Sequence, residues 1–146
     1  MFVVGSIIFI VVVFISILFS TSVRCFVDLS TLLMIIGFNI SVVIGTRSFG
    51  DLMYAFKVII KGSGKQDNDK FKKGISILNL LYKVTIAAGF LGSIIGLMIM
   101  MRTLDSPSTI GPYGSVMLLS ILYSFIIAFF FILPAKYILE KQKIDE

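Results

Sequence analysis

Residues 84–101 read VTIAAGFLGSIIGLMIMM, a run without Asp, Glu, Lys, Arg or His. A helix rises about 1.5 Å per residue, so the run covers most of the roughly 30 Å of hydrocarbon in a bilayer. Lipid offers backbone N–H and C=O groups no partners, and a helix pairs them within itself. The run is predicted to be a transmembrane helix, TM3. Three further uncharged runs share its character: Met1–Val23 (TM1), Leu29–Thr46 (TM2) and Tyr113–Ala135 (TM4). The predicted fold class is all-α, an integral membrane protein with four transmembrane helices. TM1 has no basic region before it, and its apolar stretch is long for a signal peptide, so it reads as a retained helix.

Composition bears this out across the chain. Of 146 residues, 58% are hydrophobic and 14% charged, and the mean hydropathy is +1.05. A water-soluble domain would carry about 25% charged residues. The lone Cys25 excludes an intrachain disulfide, and the lack of histidine removes the commonest zinc ligand and general base. Nothing resembles a hydrolytic or redox centre, so an enzyme is not expected.

The basic residues sort by loop. The segment from Arg47 to Lys83 and the tail after Ala135 hold eleven Lys and Arg, against Arg24 and Arg102 in the two short loops. Cytoplasmic loops carry that excess, which puts the middle segment and both termini in the cytoplasm. The net charge of +5 then reports topology and contact with anionic lipid, not nucleic acid. Four regions follow. Residues 1–46 form an outer TM1–TM2 hairpin, and 47–83 a short basic cytoplasmic segment. Residues 84–135 form a TM3–TM4 hairpin, and 136–146 a cytoplasmic tail. Within the middle segment Leu52, Ala55, Phe56, Ile59 and Ile60 recur at helical spacing, Gly62-Ser63-Gly64 breaks the pattern, and Phe71, Ile75, Leu78 and Leu81 resume it. This second helix is expected to run straight into TM3, and TM4 to extend into the cytoplasm. Arg102–Pro112, with Asp105, Pro107, Gly111 and Pro112, reads as a loop.

The spans hold hydroxyls, amides and small residues. On TM3, Thr85, Gly89, Ser93 and Gly96 share a face, with Gly92 beside them. Such a face can line an ion path, where hydroxyls solvate a cation. It can equally pack a neighbouring helix, as Gly92-x-x-x-Gly96 does in many membrane proteins. On TM4, Ser120 and Ser124 are one turn apart and either line the same path or bond back to their own helix. Asn39 is expected to hydrogen-bond to an adjacent helix, and Pro134 to hinge the base of TM4. The four spans contain no ionisable acid or base of the kind that binds an ion in a transporter. If the protein moves protons or sodium, the carboxylate must come from another chain.

The run Gly89–Leu97 resembles the G-x-x-G-[TS]-x-x-G-L signature of TM3 in the MotA/TolQ/ExbB family. Leu104–Pro112, Met117–Tyr123, Ile132–Ala135, Val27–Gly37 and Phe49–Leu52 are similar, in order, to MotA segments. The resemblance implies a homo-oligomer, a pentamer, around two copies of a single-span MotB/TolR/ExbD-like partner whose helix carries an aspartate. It implies a bacterial inner-membrane protein, a ring subunit of an ion-driven rotary motor or stator. It needs no cofactor beyond the translocated H⁺ or Na⁺. Ser93 then matches the hydroxyl lining the path, joined by Ser120, Thr85 and Ser124, with Gly89, Gly92 and Gly96 for packing and Pro134 as hinge.

Three departures from the family pattern stand out. Ile121 follows Ser120 where a second hydroxyl is usual, Ile86 replaces a proline common in MotA, and Arg47–Lys83 is far shorter than the MotA cytoplasmic domain. A non-conducting scaffold of the same fold and a small four-helix transporter are the alternative readings.

Overall fold

The computed structural model describes residues 28–61, 68–102 and 107–144, with Gly5, Ile8, Val11, Val12 and Ile15. The described residues form helices and no strand: α1 (Leu29–Gly45), α2 (Phe49–Lys61), α3 (Asn68–Arg102), α4 (Pro107–Ile126), a π-helical stretch (Ile127–Ile132) and α5 (Leu133–Ile144). The expected TM1 lies outside the described residues except at those five N-terminal positions, as does the break at Gly62-Ser63-Gly64.

Two helices are long and apolar enough to cross a membrane, Asn68–Arg102 and Ile110–Lys141. α1 and α2 add a third span only if counted together, because a 111° bend separates them. By itself α1 has 17 residues, about 26 Å of rise. Asp28 caps its start: the carboxylate accepts the Ser30 N–H at 3.1 Å, a backbone donor that a first turn leaves open, and also the Thr31 hydroxyl. At its other end Arg47 takes a left-handed φ of 52°, and the Ser48 N–H bonds back to the Val43 carbonyl at 3.2 Å. That turn sends α2 off across the line of α1.

α3 runs unbroken for 35 residues, the continuous helix that the apolar spacing before and through TM3 implies. α4 begins at Pro107, so most of the expected Arg102–Pro112 loop is helical. Proline suits the first helical position, where its missing N–H has no partner to lose; Pro112 follows within the same helix.

Pro134 does not end TM4. The chain continues as one helix from Ile110 to Lys141. A proline ring collides with the carbonyl four residues back. The π-helical stretch immediately before it widens the spiral, with the Leu133 N–H reaching the Ala128 carbonyl, five residues back.

The hydrophobic core sits at one end. Ala55 and Val58 of α2, Phe71 and Leu78 of α3, and Leu139 of α5 form one buried cluster, with Val43, Ile77 and Leu81 in a second. Gly74 lets three helices meet: a Cβ there would lie 3.3 Å from both Ala55 Cβ and Leu139 Cδ2. Above this base, α3 and α4 lie side by side.

Candidate functional site

The contact between α3 and α4 is a seam of glycine against serine. A Cβ built on Gly89 would stand 2.0 Å from Ser124 Oγ and 2.3 Å from Ser124 Cβ. One at Gly92 would lie 2.9 Å from Ser120 Oγ, and one at Gly96 3.1 Å from the Met117 backbone. Thr85, Ser120 and Ser124 are buried here. The residues buried on this stretch of α3 are thus Thr85, Ala88, Gly89, Gly92 and Gly96.

Each buried hydroxyl in the seam has a hydrogen bond. Ser120 donates to the Val116 carbonyl at 2.9 Å, and Ser124 to the Ile121 carbonyl at 2.8 Å. Both bonds stay within α4, the back-bonding expected of serine in an apolar helix. Thr85 donates to Asn39 Oδ1 at 2.9 Å, and Asn39 Nδ2 donates to the Ile35 carbonyl at 2.8 Å. Asn39 therefore bridges α1 to α3, the inter-helix role expected of an amide in an apolar span. These hydroxyls keep acceptor lone pairs but are enclosed within the protomer.

Ser93 is placed differently. It follows Gly92 by one residue, about 100° around the helix, and so turns out of the seam. Its side chain is half-buried and has no hydrogen bond to any described residue. Above and below it, Tyr82, Ile86 and Met100 are also half-buried. Tyr82 meets Phe129 edge-on at 5.7 Å, and Phe129 stacks on Phe125 at 5.5 Å, so this flank of α3 leads down beside the π-helical stretch.

Two polar contacts at the ends of the seam carry little signal in the sequence. Toward the core end, Lys136 Nζ donates to Asn79 Oδ1 at 3.2 Å and pairs with Glu140 at 3.7 Å. The four-residue spacing of Lys136 and Glu140 predicts the pair, but nothing in the sequence points to Asn79. Toward the other end, the Asp28 N–H donates to the Tyr123 hydroxyl at 3.0 Å, tying the start of α1 to α4. Pro134 is buried. Among the described residues no three of His, Cys, Asp and Glu come together as metal ligands. An apolar recess of about 350 Å³ between α1, α2 and the π-helical stretch has Asn39 as its one polar lining residue and is remote in character from ion chemistry.

Against known proteins, the model of the MotA/TolQ/ExbB proton channel family matches residues 42–145. Over 78 residues the chain is 35% identical to Motility protein A of Aquifex aeolicus (strain VF5). The alignment takes in 53% of this chain and 31% of that relative, so the chain matches about a third of the relative's length.

Proposed function

Because this chain belongs to the MotA/TolQ/ExbB proton channel family, we propose that it is the ring subunit of an ion-driven stator, paired with a single-span partner that supplies a membrane aspartate. The observation that carries the reading is the pairing of family membership with apolar runs, 84–101 and 113–135, that hold no acid or base of their own. An ion driven across such a ring needs a titratable or charged group from elsewhere. A pentamer around two partner helices, in a bacterial inner membrane, is the assembly proposed.

Within it, Ser93 faces the ion path. Among the four hydroxyls considered, it alone is half-exposed and has its bonding capacity free for an ion, a water or the partner's carboxylate. Thr85, Ser120 and Ser124 support that position from behind by fixing α3 against α1 and α4. A buried carboxylate needs such hydroxyls when it is charged.

The test is reconstitution with ion-sensitive dyes inside liposomes. This chain alone is expected to pass neither H⁺ nor Na⁺, and to conduct when co-purified with an Asp-bearing single-span protein. Conduction by the chain alone would sink the reading. Ser93→Leu is expected to abolish ion-driven work while leaving the complex assembled.

One observation favours a second reading, a non-conducting scaffold. Ser120 and Ser124 spend their hydrogens within α4, and Ile121 stands where a second hydroxyl is usual. Under that reading Ser93→Leu leaves function intact.

A further inference from the structure

α2 has two apolar faces, one buried in the core and one largely exposed among the described residues. The inner face, Ala55 and Val58, is buried against Phe71, Leu78 and Leu139. The outer face carries Phe49, Met53, Phe56 and Ile60, spaced by four, three and four residues, and these side chains are 48–78% exposed. Residues so spaced form a single stripe along a helix. Met53, Tyr54, Phe56, Lys57 and Ile60 also border a shallow concavity of about 580 Å³. A stripe of this kind in contact with water is a liability unless something apolar covers it.

We propose that α2 lies on the bilayer surface, its outer stripe sunk in the boundary between headgroups and acyl chains and its basic residues against anionic lipid. Three observations identify lipid as the occupant. Only three residues separate α1 from α2, and the 111° bend turns α2 from the direction of a span toward the direction of the surface. Lys57 is exposed beside the stripe, with Arg47 before the helix and Lys61 at its end, the pattern of a helix lying in an anionic interface. The stripe also continues the apolar surface of the spans: Ile44, near the end of α1, is 67% exposed. A second copy of the chain is the weaker occupant, because copies docked through this face would set their lysines against each other.

The inference rests on α1 entering the membrane and is independent of ion conduction, so its failure leaves the stator reading untouched. The chain has no tryptophan, which makes a single introduced indole a clean reporter. Phe56→Trp and Ile60→Trp, in the full chain reconstituted in vesicles of phosphatidylcholine with phosphatidylglycerol, are expected to emit in the blue. Lipids brominated near the headgroup should quench them at least twofold, more than lipids brominated near the chain end. Lys72→Trp, an exposed position on α3, serves as the water-facing control. Adding Lys57→Glu should weaken shallow quenching of Phe56→Trp in phosphatidylglycerol vesicles and leave it unchanged in pure phosphatidylcholine. Emission in the red with acrylamide quenching would place the stripe in water. Blue emission indifferent to bromine would place it against protein. Either result overturns the proposal, and equal quenching of Phe56→Trp with and without Lys57→Glu removes the anionic-lipid part.

Discussion

At the scale of single residues the seam between α3 and α4 is governed by a missing atom. A methyl at Gly89 would overlap Ser124 Cβ at 2.3 Å, a contact that only movement of a helix can relieve. Gly89→Ala is expected to cost about 1–3 kcal/mol, the usual penalty for overpacking, read as a lower Tm in detergent. Pairing it with Ser124→Gly should recover part of that loss, since the second change removes the Ser124 Oγ and Cβ but leaves the Ser120 carbonyl oxygen 3.0 Å from the added carbon. Gly111→Ala, with nothing within 4 Å of the added carbon, is the control and should hold or raise the Tm, since alanine favours the helix over glycine. The Thr85–Asn39 bond is the other residue-scale contact open to measurement. Hydrogen bonds between membrane helices average about 0.6 kcal/mol. A double-mutant cycle of Thr85→Val and Asn39→Leu should return a coupling of that order, and a coupling of zero would mean that the hydroxyl faces elsewhere.

At the scale of elements the departures from regular helix are the informative places. Arg47 occupies a left-handed backbone conformation, which costs an L-residue about 1–2 kcal/mol. Arg47→Gly should therefore hold or raise the melting temperature, and Arg47→Val should lower it. The break was legible, since the uncharged run ends at Thr46, but its left-handed backbone was not, because Thr46-Arg47-Ser48 contains no glycine, asparagine or proline to mark it. The helical character of Pro107–Pro112 was masked for the opposite reason: prolines read as loop formers, although one at the first helical position is stabilising. Pro134 marked the base of TM4 as a place where the helix must adjust, but the sequence does not say that the adjustment takes the form of a π-helical stretch over Ile127–Ile132. By contrast, TM3 and its extension were legible, since 84–101 is an uncharged run long enough for a span and Phe71, Ile75, Leu78 and Leu81 lead into it at helical spacing. The glycine stripe was legible as a stripe. Its centre was not: the seam runs through Gly92, which puts Ser93 on its flank.

At the scale of the whole molecule, the two apolar clusters lie at the end where α2, α3 and α5 meet. Leu139 is fully buried there and touches elements from three parts of the chain, so Leu139→Ala should cost about 2–5 kcal/mol and broaden the thermal transition. Topology is testable on the same end. In a Cys25→Ser background, Lys72→Cys should react with a membrane-impermeant thiol reagent only after the cytoplasmic side is opened; labelling of intact cells would reverse the assigned orientation. The close approach of Gly89 to Ser124 has one more implication. With no lateral clearance along the line where the two long spans touch, neither can slide or roll past the other without breaking contact over its whole length. On the ring-subunit reading proposed above, the pair acts as one stiff blade, and the motion that accompanies ion passage is expected where one blade meets the next.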